Sequence, residues 1–140
     1  MKILVAVDGS KYTRRAVDYL ISHREQFGGL PELTLVNVQY ALPNHIAASL
    51  GKSMAGKFYA DEWRKATALA KRLLDRAKIP YREANLIGEP GTVIAAQAAK
   101  GKFDLVVMGS HGHSSLANLV LGSCASKVLS LSKVPVLILR

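Results

Sequence analysis

Three glycines and a serine near the end of the chain have the types and spacing to do chemistry. Gly109, Gly112, Gly122 and Ser123 form the pattern G-x2-G-x9-G-S. Backbone N–H groups in a glycine-rich loop and at a helix N-terminus both favour an anion, and glycine lets it approach closely, so the natural guest is a phosphate. Ser123 directly precedes Cys124 to Leu131, a stretch expected to be helical with Ser123 as its N-cap. A second short segment, Asp8-Gly9-Ser10, closes an apolar run just as Gly109 closes another. Asp8 there reads equally as a turn residue that starts a helix and as a polar group at the carboxyl end of a strand, where ligands of α/β sheets bind.

Other chemistries fit the same residues less well. A serine nucleophile at Ser110 needs glycine two residues earlier, and position 108 is Met108. His111 and His113 have a spacing that could chelate a metal, but no cysteine or third histidine lies near them in sequence. Gly51-Lys52-Ser53 imitates the end of a P-loop, yet the residue five before Gly51 is Ile46 rather than glycine. Cys124 stands at a helix start, where a thiol pKa falls, although a small packing residue is the commoner role of a single cysteine. No residue stands out as catalytic.

The elements that must position these groups alternate in kind. Ile3–Val7, Leu33–Val38, Tyr81–Ile87, Asp104–Met108 and Pro135–Leu139 are short apolar or β-branched runs that predict strands. Between them, Ala16, Val17, Leu20 and Ile21 mark a helix capped by Ser10 and ended by Gly28-Gly29. Ala66, Leu69, Ala70, Leu73, Leu74 and Ala77 mark the longest one. Gly88-Glu89-Pro90-Gly91 turns into a third helix that stops at Gly101, and a fourth ends near Lys133. Residues 41–57, with Pro43, Gly51 and Gly56, read as a long loop or a loosely wound helix start. The order β-α-β-α-β-α-β-α-β predicts an α/β fold, an open parallel five-stranded sheet with helices on both faces.

Composition bounds the partners. The chain has 140 residues, 49% hydrophobic and 21% charged, which suits one globular domain over 1–140 and excludes disorder as the main state. Lysine and arginine number 19 against 10 acidic residues, a net charge of +9 that favours anionic partners. Cys124 is the only cysteine, so no intrachain disulfide can form and a reducing, cytoplasmic setting is expected. The opening apolar run of Ile3–Val7 is too short for a signal-peptide core or a membrane span. The long helix carries Arg64, Lys65, Lys71, Arg72, Arg76 and Lys78 on one side, but with only Trp63 and a few tyrosines for stacking, a solvated face is a better reading than a nucleic-acid surface.

Nearly the whole chain resembles the universal stress proteins, specifically their ATP-binding branch. Met108-Gly109-Ser110-His111-Gly112 through Leu121-Gly122-Ser123 is similar to that family's nucleotide signature, and Val5 to Ser10 to its opening strand and turn. Gly88-Glu89-Pro90 with Ile94, and Val134-Pro135-Val136-Leu137, resemble its middle turn and closing strand. The resemblance implies a Rossmann-like nucleotide-binding architecture. It implies that Met108, Gly109, Ser110, His111, Gly112, His113, Gly122 and Ser123 form the ATP site, the glycines and Ser123 cradling phosphates and ribose. Asp8 would lie by the ribose or a metal-bound phosphate, and the Val38 backbone would meet the adenine edge.

The resemblance further implies ATP or another adenine nucleotide with Mg2+, and a homodimer through the last strand. Two positions depart from the family pattern: Asn37 stands where histidine is common, and His113 where lysine or arginine is common, leaving less fixed positive charge at the phosphates. The function expected is a cytosolic nucleotide-dependent binding or regulatory module in stress response, with at most slow hydrolysis. One rival is a nucleotidyl- or phosphoryl-transfer enzyme using His111 or His113. Another is a nucleic-acid binder relying on the +9 charge.

Overall fold

Strand β1 (Lys2–Ala6) is apolar on both faces because it is covered on both. In the computed structural model, which describes residues 1–113 and 120–140, it lies at the centre of a five-stranded sheet. The remaining elements are α1 (Lys11–Ser22), β2 (Glu32–Gln39), α2 (Asn44–Arg76), β3 (Tyr81–Ile87), α3 (Pro90–Lys100), β4 (Leu105–Gly109), α4 (Ser123–Leu131) and β5 (Val136–Leu139). The strand order is β3-β2-β1-β4-β5 and every pairing is parallel. The expected α/β sheet is therefore present.

Side-chain alternation along the strands divides the core in two. Ile3, Val5, Leu33, Leu35 and Val107 meet Ala16, Val17 and Leu20 of α1 and Ala70 and Leu74 of α2 on one face. Leu4, Val36, Val38, Val106 and Met108 meet Ile94 and Ala98 of α3 and Ala125 and Val128 of α4 on the other. The chain runs outward from β1 to β2 and β3, then crosses back to β4 on the opposite side of β1. That reversal opens a crevice between the carboxyl ends of β1 and β4, where the loops after the two strands diverge to opposite faces.

Local chemistry accounts for most boundaries and for the departures from expectation. Ser10 caps α1 as expected, its Oγ accepting from Thr13 N at 3.3 Å. The helix ends at Ser22 rather than at the glycine pair, and a 3-10 turn over Arg24–Phe27 intervenes before Gly28, at φ 86°, closes it. Residues 44–57 are helical: α2 begins at Asn44 and is broken only at Gly51, whose φ of 74° and ψ of 164° is backbone that only glycine adopts readily. Gly122 is the N-cap of α4 and Ser123 its first helical residue, so Ser123 does not cap it, and among the described residues no side-chain cap bond is made there.

Candidate functional site

A cavity of about 500 Å³ fills the crevice between β1 and β4, within the range of small-molecule sites. Asp8, Val38, Met108, Gly109, His111, Gly112, Gly122 and Ser123 line it, which brings together eight residues singled out in the sequence. Ser110 and His113 do not. Ser110 is buried beneath the loop, its Oγ 2.9 Å from His111 Nδ1, while its carbonyl accepts from Gly122 N at 2.7 Å. It thereby ties the two halves of the glycine-rich segment together. His113 is exposed and its Nε2 lies 2.5 Å from the Asp8 carbonyl, which can only accept, so that nitrogen carries the proton. Ser114 and Ser115 lie outside the described residues.

Asp8 is held by the start of α1. Its Oδ1 accepts from Ser10 N at 2.9 Å and from Thr13 Oγ1 at 2.8 Å, and its N–H donates to Thr13 Oγ1 at 2.9 Å. Oδ2 faces the other loop, where a Cβ on Gly112 would stand 2.9 Å from it. The remaining glycines also have packing reasons. A Cβ on Gly109 would lie 2.4 Å from Tyr12 Cβ, and one on Gly122 would lie 3.2 Å from the Ser110 carbonyl and His111 Cα. The spacing that suggests ligand approach is thus also what lets α1, the β4 loop and the start of α4 close on one another.

Three helix N-termini reach the cavity, and they differ: that of α1, which enters through Thr13, is capped by Ser10. At α3, Glu89 accepts from Gly91 N and Thr92 N at 3.2 and 2.8 Å, and from Thr92 Oγ1. These bonds, the Thr92 hydroxyl first, hold the Glu89 carboxyl below its ordinary range, so the positive end of α3 is answered by the protein's own charge. At α4, Ser123, Cys124 and Ala125 line the cavity, and helix geometry gives their N–H groups no intrahelical acceptor. A helix end of this kind favours an anion.

Sequence reasoning missed several lining residues. Ala6, Val7, Thr13, Val36, Pro90, Ile94 and Ala125 share the cavity, as do Asn37 and Cys124, which the sequence marks only as a departure from the family pattern and as a packing cysteine. Asn37 carried the clearest hint, as a polar residue inside an apolar strand; it is buried, its Nδ2 donates to Val7 O at 2.6 Å and its Oδ1 accepts from Gln39 Nε2 at 2.7 Å. Burial, with the nearby charges of Glu89 and Asp8, pushes the Cys124 thiol up to about 11, and its side chain packs against the Leu4, Val36 and Val106 half of the core, as suits a packing residue. Among the described residues, no cluster of three or more metal-ligating side chains accompanies the two histidines, and no helix is long and apolar enough to cross a membrane.

The universal stress protein family model matches residues 1–140. The chain belongs to that family. Among universal stress proteins it is 30% identical over 147 residues to YxiE of Bacillus subtilis, covering 99% of this chain and 98% of that one. It is 31% identical over 148 residues to Rv1636 of Mycobacterium tuberculosis, covering 99% and 94%. The universal stress protein UspA from Lactobacillus plantarum superposes with a TM-score of 0.81 at 19% identity over 100% of this chain and 97% of that one. Two others were solved with nucleotide: one from Archaeoglobus fulgidus in complex with dAMP (TM-score 0.69, 20% identity, 100% and 98% coverage) and one from Arabidopsis thaliana with AMP bound (TM-score 0.69, 12% identity, 99% and 90% coverage).

Proposed function

We propose that this universal stress protein is a cytoplasmic adenine-nucleotide-binding module, taking ATP with Mg2+ among its ligands, whose occupancy changes a dimer or partner surface. The observation that carries this reading is the cavity at the strand-order reversal with the uncapped N-terminus of α4 opening into it. The dAMP and AMP complexes of its structural relatives support the ligand class. Gly109, Gly112, Gly122 and Ser123 would receive the phosphates, Asp8 the ribose or a metal-bound phosphate, and the Val38 backbone the adenine edge. Met108 and His111 form walls. Ser110 and His113 are positioning residues that hold the loop, one through Gly122 and His111, the other through the Asp8 carbonyl.

Hydrolysis is expected to be slow. The Asp8 oxygen bonded to Ser10 and Thr13 is occupied in shaping the turn, and His111 is tied to Ser110. Neither is arranged as a base for water. Because His111 does line the cavity, a transferase reading has one observation in its favour. Titrating nucleotide-stripped protein with ATP and magnesium by calorimetry tests the proposal: saturable binding with turnover below about 1 per second supports a binding module. Loss of phosphoryl transfer with intact binding in His111→Ala would favour the enzyme, and no binding would end the nucleotide reading.

A further inference from the structure

The phosphate end of the cavity is short of fixed positive charge. Residues 109–123 contain no lysine or arginine, and among the described residues that line the cavity Asp8, His111 and Cys124 are the ionisable side chains, none of them a lysine or arginine. Three basic side chains on α1 and α4 stand outside the lining. Lys11 and Arg15 lie over the Tyr12 ring, 5.2 and 5.5 Å from its centroid, and Lys127 packs its stem where a Cβ on Gly91 would fall. The positive end of α3 is answered by Glu89. What remains for an anion is the N-terminus of α4, equivalent to roughly half a positive charge, in a cavity that also holds the acidic side chain of Asp8.

A single phosphate can be seated on that helix end by N–H hydrogen bonds. Each further phosphate adds negative charge beside a carboxylate with no cation to meet it, which low dielectric makes costly. We infer that this site takes an adenine nucleotide bearing one phosphate group, as a 5′ or a cyclic monophosphate, in preference to the free triphosphate, and accepts ATP only as its magnesium complex. The inference rests on the adenine-nucleotide reading above and assigns its ligand by charge.

Calorimetric titration of the full chain with adenosine, AMP, cyclic AMP and ATP, each in EDTA and in excess Mg2+ at constant ionic strength, tests it. AMP or cyclic AMP in EDTA is expected to bind about ten-fold or more tighter than ATP in EDTA, with magnesium changing the monophosphates by less than about two-fold and tightening ATP by about ten-fold. ATP in EDTA binding as tightly as both monophosphates would overturn the inference while leaving the adenine-nucleotide reading intact. Failure of adenosine and all three nucleotides to bind would overturn that reading and this inference with it. His113→Arg adds a fixed cation to the loop and is expected to raise ATP affinity in EDTA more than AMP affinity. An unchanged ratio in that variant would also count against the charge argument.

Discussion

The close approaches around Gly122 make it the most sensitive single position in the site. Its φ of −71° suits any residue, so strain is not the obstacle; space is, since a Cβ would press on the Ser110 carbonyl and His111 Cα at 3.2 Å. Gly122→Val adds two further methyl groups there and must part the β4 loop from α4. Nucleotide affinity is expected to fall at least about ten-fold, with a loss of roughly 1–3 kcal/mol in stability from overpacking. Calorimetry and thermal melts check the two effects separately, and unchanged affinity in a folded variant would remove Gly122 from the site. Cys124 gives a pH prediction at the same scale. Its folded pKa of about 11 exceeds its ordinary 9.0, so above pH 9 the unfolded chain releases the proton first and holds fewer protons than the folded one. Stability contributed by the neutral buried thiol is therefore lost as pH rises from about 9 towards 11. Tyr81, raised to about 12 chiefly by burial and then by its bond to Asp75, acts in the same direction. Comparison with Cys124→Ala isolates the cysteine: melts between pH 8 and 11 should fall less steeply in the variant, and equal slopes would contradict the assignment.

At the scale of elements, the caps decide how each helix end behaves toward the cavity. Glu89→Ala removes the carboxylate that bonds Gly91 N and Thr92 N, and is expected to cost about 1 kcal/mol of stability. Because the folded pKa of Glu89 lies below its ordinary 4.5, its contribution is present above that value and lost as pH falls through the folded one. Acid melts of the variant should therefore converge with those of the parent as pH falls from 4.5 through the lowered folded value; a constant difference down to acid pH would refute this. The alternation of strands and helices was legible because the central strands β1, β2 and β4 are buried on two faces and read as largely apolar runs, as in Ile3 to Val7 and Leu105 to Met108. The first half of α2 was not. Its Ile46, Leu50, Met54 and Phe58 stay partly exposed while burial begins at Ala66, so no buried stripe marks the helix, and Gly51 interrupts it. In the site, backbone-driven features such as the glycine spacing and the Asp8 turn were visible in sequence. The walls from Pro90 and Ile94 were not, because they come from α3, which only the sheet order brings beside β1.

For the whole molecule, the open question is what covers the β5 edge. Leu137 and Leu139 pack into one half of the core and Val136 and Ile138 into the other, so both faces of the strand are used. The bonds Val106 N to Pro135 O and Ser110 N to Leu139 O, with the alternation of a parallel ladder, direct the backbone groups of 135, 137 and 139 toward β4. Those of Val136 and Ile138 then point to the outer edge. An apolar edge strand with unpaired backbone is a template for a second copy. Sedimentation should give a mass near twice 15.1 kDa, and Ile138→Pro, which removes an outward N–H while sparing the bonds to β4, should weaken the dimer. Salt sharpens the test. Each chain carries +9, so a homodimer brings like charges together and should tighten as screening shortens their reach. Binding to nucleic acid through the same charge would weaken steeply over the same salt range. A mass of one chain at about 100 μM and at every salt concentration would exclude the edge-paired dimer at any working affinity.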